Sequence, residues 1–256
     1  MRKVQSVFLC LILTLFLAAP TRAELADTIA RIKPALVVVG TFNKLKSPSF
    51  AMRGTGFVVG DGRLIATNSH VVPEMTGVES GQDQLMILAR HGTETRPIPV
   101  RLISRDAEHD LAILRFDGPP LPALALGSSD AVREGQTIAF SGFPIGGALG
   151  FSPVTHRGII SSITPIAIPI GNSQDLKNKS ILRLRSGAFP IFQLDATAYP
   201  GNSGGPLFDV ENGEVLGVIN MVFVKSTKES MLEKPSGISY AIPARHLNDL
   251  IVNIRP

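Results

Sequence analysis

A serine among glycines, a histidine at the end of an apolar run and an aspartate at the start of another are the residues of this chain best suited to covalent chemistry. Ser203 lies in "AYPGNSGGPL", Ala198 to Leu207. Gly, Pro, Asn and Ser also build ordinary loops, so taken alone the segment is equally a glycine-rich turn. A serine hydroxyl becomes a nucleophile only with a base to take its proton, a group to orient that base, and donors for the oxyanion that forms. His70 in "ATNSHVV" stands where a strand-like run meets a loop, from which it can project into a cleft. The other histidines are His91, His109, His156 and His246, and a histidine taken at random is more often surface or satisfied core than catalytic. Asp110 in "DAEHDLAILRF" directly precedes an apolar strand. A carboxylate there needs a partner, and an imidazole N–H suits it; a strand-end turn former is the other reading. Asp106 and His109 compete by proximity; both are expected to be exposed, with His109 as the alternative base.

Gly-Asn-Ser-Gly-Gly also fits the G-x-S-x-G elbow of α/β-hydrolases. That fold needs a strand, the serine, a helix, and then the acid and histidine in that order. Gly204, Gly205 and Pro206 oppose a helix start, and strands rather than βαβ units surround the motif. Asp209 and His246 do follow, but only 53 residues remain after Ser203. The order His70, Asp110, Ser203 fits instead an all-β protein whose two halves assemble the site in the cleft between them. Gly201 can turn its N–H towards a substrate oxygen with no Cβ in the way, and the Ser203 N–H supplies a second donor.

The elements that would position these residues are mostly strands. Short β-branched runs recur between turn residues: "ALVVVGTF", "GTGFVVG", "RLIATN", "QLMILAR", "PIPVRLIS", "LAILRF", "TIAFSGF", "GIISSI", "FQLDA", "PLFDV", "EVLGVINMVFV" and "GISYAI". About twelve strands at this spacing predict a sandwich or barrels. Asp61-Gly62 and Asn212-Gly213 read as hairpin turns. A short helix is expected over "ELADTIARI", ended by Pro34, and a closing helix after Pro243, where Leu247, Leu250, Ile251 and Ile254 have helical spacing. The Pro/Gly/Ser cluster from Asp117 to Asp130 is the candidate crossover between halves of about six strands each.

Arg2 and Lys3 precede "VFLCLILTLFLAA", Val7 to Ala19, and then "PTRA". This reads as a secretory signal over residues 1–23, too short to span a bilayer comfortably; an uncleaved anchor is the alternative. Cys10, the single cysteine, lies inside it, so the exported chain would have no disulfide and would depend on its core. Without Arg2, Lys3 and Arg22 the 25 basic residues fall to 22 against 21 acids, a net charge of +1. Nothing in that balance asks for nucleic acid or for an anionic membrane. "LKNKSILRLR", Leu176 to Arg185, reads as a solvated loop.

The segments "GTGFVV", "TNSHVV", "DLAILR", "FQLDATAYPGNSGGPL", "GEVLGV" and "GISYAIPA", in this order and at these separations, resemble the protease domain of the HtrA/Deg serine proteases, within the chymotrypsin-like superfamily. The resemblance covers roughly residues 24 to 254. It implies two six-stranded antiparallel β-barrels, over 24–125 and 126–256, flanked by the short N-terminal and C-terminal helices. It implies a triad of His70, Asp110 and Ser203, an oxyanion hole from Gly201 and Ser203, no metal and no cofactor. It further implies peptide-bond hydrolysis in unfolded or damaged polypeptides, in the periplasm or outside the cell, without stable membrane insertion once the signal is removed. Many members carry PDZ domains after the closing helix, whereas this sequence stops at Pro256, so capture through a PDZ contact is not expected. Members often trimerise through an N-terminal segment; here only a short helix precedes the first strand, and a homotrimer is an open expectation.

In digestive relatives an aspartate beside the nucleophile pairs with a freshly cut N-terminus. Asn202 cannot form that ion pair, so activation by propeptide cleavage is not expected; it also reads as a turn residue that tolerates unusual backbone angles. The residue six before the nucleophile forms the base of the specificity pocket in this superfamily, and here it is uncharged Thr197. Ala198 stands where HtrA-like enzymes often have a larger aliphatic residue, and Pro200 biases Tyr199 to extended geometry. The expected pocket is apolar and accepts Val, Ala, Ile or Leu. The competing reading has Thr197 and Ala198 only packing the second half, with "GVINMVF" shaping the pocket. Two other functions use the same residues: a protease-like fold that only binds unfolded chains, and an esterase acting on small acyl substrates.

Overall fold

The computed structural model describes residues 24–74, 83–91, 94–144, 151–166, 189–220 and 238–254. The signal segment, the loop from Leu176 to Arg185 and the part of the "EVLGVINMVFV" run beyond Asn220 lie outside the described residues. Helix α1 (Leu25–Ile32) comes first, and Pro34 stands in the 3-10 turn Lys33–Ala35 that follows it. Strands β1 (Leu36–Phe42), β2 (Phe50–Val59), β3 (Leu64–Asn68), β4 (Gln84–His91), β5 (Glu94–Pro99), β6 (Arg101–Asp106) and β7 (Leu111–Arg115) form one antiparallel sheet in the order β5-β4-β1-β2-β3-β7-β6. Strands β8 (Thr137–Gly142), β9 (Val154–Ile166), β10 (Phe189–Asp195), β11 (Pro206–Asp209), β12 (Val215–Asn220) and β13 (Ile238–Pro243) close into a barrel. Helix α2 (Ala244–Val252) follows β13 with Pro243 as its N-cap.

The first sheet has seven strands because the expected run "PIPVRLIS" is divided. β5 and β6 lie on opposite edges of that sheet, yet only Val100 separates them in the chain. One strand bent at Val100 therefore joins the two edges, and the sheet curls back on itself by covalent continuity. The expected hairpins stand between β2 and β3 and between β11 and β12.

Alternation along a strand sends successive side chains to opposite faces, and here both faces of several strands are buried. Val37 and Val39 of β1, Val58 of β2, Ile65 of β3 and Ala112 and Leu114 of β7 fill a core belonging to the first sheet alone. Their neighbours Leu36, Val38, Phe57, Val59, Leu64, Ala66, Leu111 and Ile113 face a second core that they share with Ala139, Phe208, Val215, Val218 and Ile242 of the barrel. A third core, with Ile138, Phe140, Phe192 and Leu194, fills the barrel. Continuous apolar runs such as "LVVVG" thus arise because one face lines the first half and the other docks it onto the second.

Each terminal helix crosses that junction. Ile32 of α1 and Leu247, Leu250 and Ile251 of α2 belong to the shared core. α1 precedes the first sheet in sequence, but Thr28 and Arg31 bond the carbonyls of Glu211 and Asn212 in the β11–β12 turn, at 3.5 and 3.3 Å.

Candidate active site

Antiparallel pairing of Asn68 with Leu111 sets the end of β3 beside the start of β7. The 3-10 turn Ser69–Val71 carries His70, and the turn before β7 carries Asp110. His70 Nδ1 and Asp110 Oδ2 are 2.6 Å apart, and the backbone N–H of His70 donates to Oδ1 at 2.9 Å. Facing a carboxylate, Nδ1 carries the proton, which leaves Nε2 as the basic nitrogen. The Asp110 carbonyl accepts bonds from the Ser69 N–H at 3.0 Å and Asn68 Nδ2 at 3.1 Å. The side chains of His70 and Asp110 are 33% and 13% exposed, so the imidazole reaches solvent while its partner is sheltered.

Ser203 lies in the loop between β10 and β11, held from both halves. Its carbonyl accepts the Thr55 N–H of β2 at 2.8 Å. The next residue, Gly204, donates to the Ile219 carbonyl of β12 at 2.9 Å, and Ile219 donates to Gly205 at 2.9 Å. Gly204 has φ of 84°, and a Cβ there would collide with the Thr55 carbonyl and Thr67 Oγ1. Gly54 is wedged between Val71 and Ser203: a Cβ on it would lie 2.7 Å from Val71 and 2.9 Å from the Ser203 carbonyl oxygen. The serine loop thus lies one backbone layer from the histidine turn. Among the described residues no hydrogen bond joins Ser203 Oγ to His70.

Gly201 has φ of 103°, and a Cβ on it would strike the Phe143 carbonyl. Thr55 Oγ1 donates to the Gly201 carbonyl at 2.6 Å and accepts the Phe143 N–H at 3.0 Å. Among the described residues neither the Gly201 nor the Ser203 N–H has an acceptor. Asn202 is fully buried, and among the described residues neither its Nδ2 nor its Oδ1 has a partner. The unusual backbone angles fall on Gly201 and Gly204 rather than on Asn202.

Of the residues before Gly201, Ala198 is buried, and its N–H donates at 2.8 Å to Ser239 Oγ, which in turn donates to the Ala196 carbonyl. Thr197, Tyr199 and Pro200 are half-buried. The Tyr199 ring lies 5.9 Å from His156, which stacks on Phe140 at 4.9 Å. Burial pushes the His156 imidazole below its ordinary value.

Asp106 and His109 depart from expectation. Both are half-buried rather than exposed, with side chains 23% and 19% accessible, and they bond each other at 2.6 Å. The His109 ring is packed against His246 and Phe189, which commits the alternative base to a stack. Burial raises the Asp106 carboxyl, but the side-chain and backbone bonds from His109 outweigh it and hold the group below the usual carboxylate range.

Two residues that sequence reading passed over are the buried Thr55 and Asn220. Asn220 Nδ2 donates at 2.7 Å to Asp110 Oδ2, the oxygen already facing His70. The only local signal for either was a polar side chain inside an apolar run, "GTGFVV" or "GVIN". Among the described residues no group of three His, Cys, Asp or Glu side chains converges as a metal site, and no helix is long and apolar enough to cross a membrane.

A family model, the trypsin-like peptidase domain, matches residues 54–218. The probable periplasmic serine endoprotease DegP-like of Halomonas elongata is 32% identical over 202 residues, which is 79% of this chain and 35% of that protein. The protein of the same description from Pseudomonas fluorescens is 30% identical over 190 residues, 74% of this chain and 32% of its own length. This chain therefore spans about a third of these curated relatives. Among solved structures, "HtrA-type protease AlgW with tripeptide" superposes with a TM-score of 0.63 at 27% identity, covering 90% of this chain and 63% of that one. Another structure of that protease gives 0.62 at 25% identity, covering 91% and 64%. The family match begins in β2 and ends in β12, so it encloses His70, Asp110 and Ser203. This chain belongs to the trypsin-like peptidase domain family.

Proposed function

We propose that this chain is an exported serine endopeptidase of the HtrA/DegP type. Ser203 Oγ attacks the scissile carbonyl carbon, and its proton passes to His70 Nε2. The Gly201 and Ser203 N–H groups stabilise the oxyanion of the tetrahedral intermediate. When that intermediate collapses the C–N bond breaks, His70 returns the proton to the leaving nitrogen, and an acyl-enzyme remains on Ser203. Water then enters by the same route, losing a proton to His70 as it attacks, and Ser203 recovers its hydrogen as the acid product leaves. Asp110 keeps the imidazole in the tautomer with Nδ1 protonated and stabilises the imidazolium that forms.

The observation that carries this reading is the Asp110 carboxylate, bonded to both N–H groups on the inner side of His70 and to Asn220 from the other half of the molecule. A polar arrangement of this kind at the junction of two barrels is costly unless every member is satisfied, and its exposed end is an imidazole nitrogen. The oxyanion loop is fixed at the same junction by Thr55.

The division that fits this chemistry is a signal segment over 1–23, a first barrel over 24–125 and a second over 126–256. Relatives described as periplasmic support export, and unfolded polypeptides are the substrate class that the resemblance implies. Thr197, Ala198, Tyr199 and Pro200 form the wall that receives the residue on the amino side of the cut. The uncharged Thr197 and buried Ala198 favour small and branched aliphatic side chains there, because Lys or Arg would be left unpaired.

The test is labelling by a serine-directed phosphonate together with digestion of a denatured protein, each in wild type and Ser203→Ala. Labelling and proteolysis that both vanish in Ser203→Ala support the reading. Undiminished proteolysis by pure Ser203→Ala refutes it. Ester hydrolysis without proteolysis points to the esterase, and tight binding of unfolded chains with neither activity points to the non-proteolytic binder.

A further inference from the structure

One residue upstream of Asp110, the turn that carries it meets rings from the second barrel at His109. Asp110 is the one non-glycine residue with positive φ, 54°, among the described residues. Aspartate tolerates that region better than most residues, but the conformation persists only where its surroundings over-determine it. Downstream, pairing of β7 and the bonds from Ser69 and Asn68 to the Asp110 carbonyl do so. Upstream stands His109. Its N–H donates to Asp106 Oδ1 at 3.0 Å and its Nδ1 meets Oδ2 at 2.6 Å. Its ring stacks on His246 of α2, with centroids 3.8 Å and planes 19° apart. It also meets Phe189 of β10 edge-on at 4.6 Å.

We propose that His109 and His246 form a clamp through which the closing helix of the second barrel positions Asp110. They are positioning residues, acting on the reaction only through the acid, and the inference rests on the triad reading above. α2 can transmit position because its first turn is itself tied down. The Arg245 N–H donates to Ser129 Oγ at 3.0 Å, and its Nη1 reaches Asp130 at 2.8 Å. Loss of the ring stack would free the turn to relax towards ordinary backbone angles and swing the carboxylate away from His70.

The clamp needs a neutral His246. Arg245 Nε donates to His246 Nε2 at 3.4 Å, so the proton sits on Nδ1. Burial, with the charges of His109 and Arg245 adding to it, holds His246 down to about 4, while Asp106 and Asp249 oppose them. The charged side chains lining this corner are Arg105, Asp106, Glu108 and Asp249. A proton gained in acid would set a cation against His109 and Arg245 and loosen the stack.

The experiment compares His246→Leu and His246→Phe with wild type, using a peptide substrate at pH 7.5, with Asp110→Asn as the control. A misplacement of about 1 Å at a reacting group can cost on the order of 100-fold. His246→Leu should therefore lose at least about 10-fold in kcat, with KM within about twofold. His246→Phe keeps a stacking ring without a titrating group and should recover kcat to within about threefold of wild type. It should also keep kcat as the pH falls below 5 better than wild type does. His109→Ala should match His246→Leu, and the two together should cost no more than either alone. A folded His246→Leu with wild-type kcat overturns the clamp, as does failure of His246→Phe to restore the rate. Asp110→Asn should lose about 10⁴-fold. Should it instead keep its rate, the triad reading falls and the clamp with it. If Asp110→Asn is inactive while His246→Leu is not impaired, only the clamp falls.

Discussion

Substituting Asn220 with alanine should impair the chemical step without touching the nucleophile or the base. Asn220 is fully buried, and its Nδ2 lies 2.7 Å from the Asp110 oxygen that also faces His70 Nδ1 at 2.6 Å. A hydrogen bond to a charged group contributes about 1.5 to 3 kcal/mol. Each 1.36 kcal/mol lost from the barrier is about tenfold in rate. If most of that bond serves to hold the carboxylate in line with the imidazole, Asn220→Ala loses roughly 10- to 100-fold in kcat, and KM changes little because the side chain is fully buried. The assay is steady-state cleavage of a fluorogenic peptide by wild type, Asn220→Ala, Asp110→Ala and the double variant, with circular dichroism to establish that each is folded. If Asn220 serves the reaction through its bond to Asp110, its removal in the Asp110→Ala background should cost less than about twofold, which is strong non-additivity for a contacting pair. Additive losses, or a folded Asn220→Ala with kcat within twofold of wild type, would refute the assignment. A rise in KM alone would place Asn220 in substrate binding instead.

Four further outcomes are expected. Ser203→Ala and His70→Ala should each lower kcat on the order of 10⁴-fold or more while the thermal midpoint stays close to wild type, measured by peptide hydrolysis and calorimetry. Gly204→Ala forces a left-handed backbone on a side chain, costing about 1 to 2 kcal/mol, and drives a Cβ into the Thr55 carbonyl and Thr67 Oγ1. A total near 3 kcal/mol would lower Tm by roughly 6 to 12 °C, and an unchanged Tm would contradict the packing described. His246 takes its proton near 6.5 when unfolded but only near 4 when folded, so the unfolded state binds more protons in between and stability falls as pH drops from about 6.5 to 4. With solvent around the half-buried ring the loss amounts to about 1 to 2 kcal/mol; denaturant midpoints at pH 4.5 and 7 should show this loss shrinking in His246→Phe. Mass spectrometry of fragments from a denatured protein should find Val, Ala, Ile or Leu at the new C-termini, and a predominance of Lys or Arg would overturn the pocket reading.

Much of the fold was legible because it is written in local chemistry. β-branched runs between turn residues mark the strands, Asp61-Gly62 and Asn212-Gly213 mark their hairpins, and the spacing of Leu247, Leu250 and Ile251 marks the closing helix, since each depends on neighbours a few positions away. The candidate nucleophile, base and acid could be singled out in the same way, by residue type and flanking pattern. The tertiary structure alone decided which groups hold them. Asn220 is 110 positions from the carboxylate it bonds, Thr55 is 146 positions from the Gly201 carbonyl it supports, and no periodicity links such pairs. His109 looked exposed because its own turn is polar, and it is sheltered only because His246 and Phe189 arrive from the other barrel. α1 precedes the first sheet but bonds the β11–β12 turn of the second half, and "PIPVRLIS" bends at Val100 because a sheet curling on itself must join its edges. Local sequence specifies backbone preference and which face is apolar; which distant surface covers that face, and which polar group satisfies a buried charge, is settled only when the two halves close on one another.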